Sequence, residues 1–190
     1  MSKNNFEEDI ERCLTVLNNG GVILYPTDTV WGLGCDATNA EAVEKIFTIK
    51  KRPANKSLVI LVADERAILQ HTASVDLEVF NFLDNTSQPT TVIYEHALGL
   101  AENAIAEDGS VAIRLCNDEF CKHLIKRFRK PIISTSANFS GEPAPAIYKE
   151  IAEELINSVD YTIHHRREDE TKLAPSRIIK WDNGKVVYIR

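Results

Sequence analysis

A single α/β domain whose sheet is not purely parallel is what three features of this chain predict. Short apolar runs alternate with amphipathic stretches along the whole sequence. No Ser/Gly-rich linker, internal repeat or low-complexity tract interrupts that alternation across residues 1–190. The last two extended segments are separated by Asp182-Asn183-Gly184, a hairpin signal that makes at least one pair antiparallel. With 190 residues, 44% of them hydrophobic and 26% charged, the chain can bury a core, which excludes a disordered tail.

Taken in order, Phe6, Ile10, Cys13, Leu14 and Leu17 recur at helical spacing and stop at Gly20-Gly21. Residues 22–25 form an apolar run closed by Pro26, the length of a strand buried on both faces. The nine residues 26–34 read as a loop. Thr38-Asn39-Ala40-Glu41 has capping-box spacing for a helix reaching Lys50, which Pro53 closes. A second buried strand is expected at 58–62, helices near 64–70 and 75–83, and strands at 90–94 and 111–115. Asn117 can cap a helix whose Phe120, Cys121, Leu124, Ile125 and Phe128 share one side, its other side being basic. A strand at 131–133, a helix over 148–156 and extended segments at 161–164, 177–181 and 186–189 complete the chain. Residues 98–109 fit a loop or a short helix.

The net charge of −6 means that any anion site is local rather than a basic coat. Apolar runs such as 58–63 fall far short of the roughly 20 residues of a membrane-spanning helix. The start MSKNNFEEDI lacks the features of an export signal, so a cytoplasmic protein is expected. Cys13, Cys35, Cys116 and Cys121 form no C-x-x-C pair and read as reduced, partly buried thiols, structural zinc being the alternative although nothing supplies four ligands at familiar spacing.

Three segments carry candidate chemistry. The loop PTDTVWGLG, residues 26–34, sets hydroxyls and an aspartate beside flexible backbone, as a ligand loop or a tight turn with an aspartate cap would. Lys50, Lys51, Arg52 and Lys56 place four cations in seven positions, which suits either a polyphosphate clamp or a solvated helix end complementing its dipole. The segment STSANFSG, residues 134–141, follows a buried strand, where α/β sheets bind ligands, though a self-capping polar turn has the same composition. No P-loop, G-x-G-x-x-G, H-E-x-x-H or G-x-S-x-G is present. The basic face bearing Lys122, Lys126, Arg127, Arg129 and Lys130 reads as solvated or as meeting a nucleic-acid backbone, and 164–170 as a self-neutralising flexible stretch.

Together, PTDTVWGLG, KKRPANKSL, VAIRL, STSANFSGEP and APS, in that order before a terminal hairpin, resemble the YrdC/TsaC family of threonylcarbamoyl-AMP synthases, in its short bacterial form, over about residues 20–190. The resemblance implies a twisted mixed sheet with flanking helices and a large concave cavity. It implies that L-threonine, bicarbonate and ATP, with Mg2+, give threonylcarbamoyl-AMP and pyrophosphate for modification of a tRNA adenosine, a separate transferase complex performing the later step. It places Lys50, Arg52 and Lys56 at the ATP phosphates, with Ser110, Asn138 and Arg190 as further ATP positions. Thr29, Arg114, Ser136 and Ser176 fall at threonine positions. No general base and no metal ligand are implied: amine addition to CO2 or bicarbonate, then in-line attack of the carbamate on the α-phosphorus, need mainly positioning and charge stabilisation.

Two departures bear on the site. Gln88-Pro89-Thr90-Thr91 stands where many members read P-G-P-L-T, and Ser176-Arg177 where many read S-T, which places a bulky cation near the threonine end. A non-catalytic member binding double-stranded RNA or tRNA, and a synthase acting on another carbamoyl acceptor, are the alternatives.

Overall fold

The computed structural model describes residues 6–53, 58–182 and 184–189. In chain order the elements are α1 (Glu7–Asn18), β1 (Ile23–Tyr25), β2 (Gly32–Gly34), α2 (Ala40–Lys50), β3 (Val59–Val62), α3 (Glu65–His71), α4 (Glu78–Asp84), β4 (Thr90–Tyr94), β5 (Val111–Leu115), α5 (Glu119–Phe128), β6 (Ile132–Ser136), α6 (Glu153–Ile156), β7 (Tyr161–Thr162), β8 (Arg177–Asp182) and β9 (Lys185–Tyr188). The nine strands form one mixed sheet in the order β7-β1-β2-β6-β3-β5-β4-β8-β9. The pairs β3/β5, β4/β8 and β1/β7 are parallel, and the rest, including the terminal β8/β9 hairpin, are antiparallel.

Alternation along the strands assigns side chains to two faces. Leu24, Leu33, Ile60, Val62, Val92, Ile113, Ile133 and Ile179 face one core, packed with Val43, Ile46 and Phe47 of α2, Ile68 of α3 and Val79 of α4. On the other face α1 and α5 pack together over Ile23, Tyr25, Leu61 and Ile132. These helices cover only part of that face. The registers Leu61↔Arg114, Val59↔Ser134 and Gly32↔Ser136 show that the uncovered part carries polar side chains.

Local chemistry departs from the sequence reading at several points. The expected 26–34 loop ends in a strand, because Gly32 and Gly34 fit beneath the ring of the fully buried Tyr25, where a Cβ on Gly34 would lie 2.6 Å from Tyr25 Cε1. Asn39, not Thr38, caps α2, accepting from the N–H groups of Glu41 and Ala42, while Thr38 donates to Asp36. Asp118, not Asn117, caps α5 through Cys121 N–H. The helix expected over 148–156 is a 3-10 turn at Tyr148–Glu150 followed by the single turn α6. Strand β6 runs on through Ser136, so the first three residues of the STSAN segment are sheet.

The 164–170 stretch is tied down. Buried Asp9 accepts from the N–H groups of His164 and His165 and from the Tyr161 hydroxyl, and Arg166 donates to Thr27 O and Asp118. The basic side of α5 is partly spent inside the fold. Arg127 pairs with Glu7 and Glu11 of α1, and Lys130 with Asp36. The four cysteines are free and buried. Among the described residues no helix is long and apolar enough to cross a membrane.

Candidate active site

The uncovered part of the sheet face is the floor of a cleft of about 230 Å³. Thr29 to Gly32, Arg52, Leu58, Val59, Arg114, Ser134, Thr135, Ser136, Ala144, Pro175, Ser176 and Ile178 line it. Its side chains come mainly from strand positions of one parity, Arg114, Ser134 and Ser136, from the loops that leave β1 and α2, and from Ser176 just before β8. At one wall Trp31 packs on Tyr148, ring centroids 5.0 Å apart, and the Arg167 guanidinium lies 5.2 Å from the Tyr148 ring centre.

Arg114 is the buried cation of the floor, 4% exposed. Its Nη1 donates to Thr29 Oγ1 at 2.9 Å, Nη2 lies 3.2 Å from Asp28 Oδ1, and Nε has no hydrogen-bond partner. The hydroxyls are ordered by their own proton count. Thr27 gives its single hydroxyl proton to Val30 O and accepts from Thr29 N–H, so the 2.9 Å contact between Thr27 Oγ1 and Thr29 Oγ1 has Thr29 as donor. Thr29 Oγ1, already accepting from Arg114, retains one lone pair for a donor in the cleft. The 26–29 turn is anchored from outside by Cys121 Sγ on Pro26 O, Asn117 N–H on Asp28 and Arg166 on Thr27 O.

Arg52 and Lys50, two residues apart, point to different environments. Lys51 closes α2 in the left-handed conformation, φ 52°, and Arg52 N–H returns to Phe47 O, so Arg52 leaves the helix towards the cleft. Lys50 is 1% exposed and donates to Ser136 O at 2.5 Å and Asn138 O at 2.6 Å. Burial, and secondarily Arg52, pushes its ammonium down to about 8. Lys50 thus clamps the end of β6 onto α2 and lies outside the cleft lining that holds Arg52.

Of the other expected residues, Thr29, Arg52, Arg114, Ser136 and Ser176 line the cleft together, Ser176 in a 2.8 Å hydroxyl pair with buried Thr91. Asn138 lies outside the lining: its Nδ2 donates to Phe139 O and Glu142 O, and its buried Oδ1 has no partner. Ser110 shares the sheet side of Arg114 but sits before β5, outside the lining, with its N–H on Asp108. Lys56 and Arg190 lie outside the described residues.

Arg177 does not crowd the cleft. Its parity is that of Ile179, and it donates to Thr90 and Thr86 and stacks over Phe82. Thr27, Asp28, Ser134 and Thr135 lie in the two candidate segments 26–34 and 134–141 but were not singled out individually. Among the described residues no cluster of three or more His, Cys, Asp or Glu side chains is arranged to hold a metal ion.

The family description "Telomere recombination" (Sua5/YciO/YrdC) matches residues 15–190. The threonylcarbamoyl-AMP synthase of Pseudoalteromonas translucida is 31% identical over 185 residues, covering 95% of this chain and 97% of that protein. The enzyme of the same name from Saccharophagus degradans is 37% identical over 134 residues, 70% of each chain. The crystal structure of P. abyssi Sua5 complexed with L-threonine superposes with a TM-score of 0.85 at 25% identity, covering 97% of this chain. This chain spans 54% of the length of that Sua5 protein.

Proposed function

Because the chain belongs to the Sua5/YciO/YrdC family, we propose that it is a threonylcarbamoyl-AMP synthase, a transferase forming the adenylate from L-threonine, bicarbonate and ATP. The observation that carries this reading is the meeting of Arg52 and Arg114 with the hydroxyls of Thr29, Ser134, Ser136 and Ser176 in one cleft, on a sheet face otherwise sealed by helices. ATP and carboxylated threonine together bring about six negative charges, so cations have to offset their repulsion before the reacting atoms meet.

Arg114 supplies a directional donor for the threonine carboxylate, and the remaining lone pair of Thr29 accepts from the amine. Arg52, with Lys56 and Arg190 contributing from the sequence, takes the phosphate end. Mg2+ would arrive with the ATP phosphates, where it would offset part of their charge. The amine adds to CO2 with loss of a proton, or to bicarbonate with loss of water, and the carbamate oxygen then attacks the α-phosphorus in line, forming the P–O bond as the bond to pyrophosphate breaks. The side chains orient the reactants and stabilise the charge. The product supplies a separate transferase acting on tRNA.

The test is pyrophosphate release from MgATP by the purified protein. Release is expected only when threonine and bicarbonate are both present, and threonine-independent release rejects the reading. A panel of other amino acids in the same assay distinguishes a different carbamoyl acceptor.

A further inference from the structure

Three contacts made from outside the cleft hold the turn that carries Thr29, and they are unequal. Asn117 uses a backbone N–H, which no change of side chain removes, and Cys121 uses a thiol, a weak donor. Arg166 supplies the charged contact. Its Nη1 donates to Thr27 O at 3.0 Å and to Asp118 Oδ2 at 3.2 Å, while Nε donates to Asp169 Oδ2 at 3.0 Å. Both carboxylates are themselves fixed, Asp118 by capping α5 with its other oxygen and Asp169 by accepting Thr171 N–H. The Arg166 backbone is left-handed, φ 65°, a conformation that a residue with a side chain keeps only where its surroundings hold it. Arg166 lies outside the cleft lining, with its side chain 24% exposed.

We propose that Arg166 is a positioning residue for the amino-acid end of the cleft, an inference that rests on the synthase reading. It acts through Thr27. The peptide unit is planar, so a charge-assisted bond to Thr27 O sets the rotation of the whole peptide between residues 27 and 28. Thr27 Oγ1 accepts from Thr29 N–H at 3.0 Å and lies 2.9 Å from Thr29 Oγ1, which in turn accepts from Arg114 Nη1. A turn free to rotate at Thr27 therefore loses the direction of the Thr29 hydroxyl and its bond to Arg114 together. Nothing in this series of bonds involves Arg52. The segment that starts at Arg166 continues to Pro175 and Ser176 in the lining, so it braces the turn from behind and then forms part of the cleft wall.

The test compares wild type, Arg166→Gly and Arg166→Lys. Glycine removes the guanidinium and also relieves the left-handed backbone, so the two effects on stability offset and the thermal midpoint is expected within a few degrees of wild type. KM for threonine is expected to rise about tenfold in Arg166→Gly while KM for MgATP changes by less than about twofold. Free guanidinium ion, added below denaturing concentration, should restore part of the threonine KM. Arg166→Lys keeps the charge without the fork and gives a smaller rise. Amide hydrogen exchange reports the turn without any substrate: Thr29 N–H should exchange faster in Arg166→Gly, with Ile113 N–H of β5 unchanged.

Unchanged threonine KM or unchanged exchange at Thr29 in Arg166→Gly overturns the proposal. Equal rises in both KM values, with a lower midpoint and no response to guanidinium, mark a purely structural arginine and also overturn it. Where Arg166→Gly does not fold, Arg166→Lys decides by the same KM and exchange readouts. Absence of threonine-dependent pyrophosphate release in wild type rejects the synthase reading, while exchange at Thr29 still judges what Arg166 holds.

Discussion

Where α1 and α5 cover the sheet, β3 and β6 present Leu61 and Ile132 to Phe120 and Leu124 in a dry core. Two to four residues along the same strands Ser134 and Ser136 line the cleft, with Val59 at the boundary, touching both the covered core and the cleft. Nothing in backbone geometry separates the halves, since one register runs through both. The difference lies in what each half stabilises. In the covered half apolar area is removed from water, which favours folding. In the open half some buried polar atoms, Arg114 Nε among them, have no protein partner, which costs stability rather than adding to it.

The comparison predicts that substitutions in the open half lower activity and those in the covered half lower stability. Arg52→Ala should have the largest effect, a loss of kcat/KM of about 100-fold or more, because a cation facing developing phosphate charge is worth on the order of 3 kcal/mol. Its thermal midpoint should move by only a few degrees, Arg52 being a half-buried residue beyond a helix end. Loss of folding in that variant would show that the two halves are not energetically distinct. Leu124→Ala is the reciprocal case. Leu124 is fully buried between α1, α5 and the sheet, so chemical denaturation should report a loss of about 2–5 kcal/mol, with KM for threonine and ATP unchanged.

Sequence patterns made the covered half legible and the open half only partly so. The stripe Phe120, Cys121, Leu124, Ile125 and Phe128 fixes α5 by period alone, and β4 and β5 fall at the expected residues. Period does not say where a neighbouring helix ends. Lys50 and Arg52 therefore read alike in a cation run, although a left-handed residue between them sends one inward and the other to the cleft. Asp28 was visible as a turn aspartate, but its partner lies 86 positions away on β5, a distance that only sheet order bridges. Arg177 misled for the opposite reason: strand parity turns it away from the residue before it.

Two glycines of β2 sharpen the boundary. A Cβ on Gly34 would meet Tyr25 Cε1 at 2.6 Å and Ile133 O at 3.0 Å, neither of which can yield inside the covered half. Gly34→Ala should cost about 1–3 kcal/mol in denaturant unfolding. A Cβ on Gly32 would lie 3.2 Å from Thr135 O and 3.3 Å from Ser134 Oγ, at the cleft floor. Gly32→Ala should cost less than about 1 kcal/mol of stability yet raise substrate KM several-fold. Equal stability losses in the two variants would erase the boundary drawn between them.

The smallest effect concerns Lys50, which joins the two halves by holding the end of β6 against α2. Its ammonium titrates at about 8 in the fold against 10.5 for a free lysine, because burial disfavours the charge and Arg52 adds to that. Below about pH 8 both folded and unfolded chains are protonated, and the burial cost is present in full. Between about 8 and 10.5 the unfolded chain binds more protons than the folded one, so stability rises with pH over that interval. A Lys50→Met variant lacks this titration. The stability difference, wild type minus variant, should be flat below about pH 8 and then increase towards pH 10, read from paired urea midpoints. A decrease over the same range would mean that the two carbonyl bonds outweigh burial and hold the ammonium charged. Lys50 would then act as a fixed cation behind the cleft, and the open half would carry more positive charge than its lining shows.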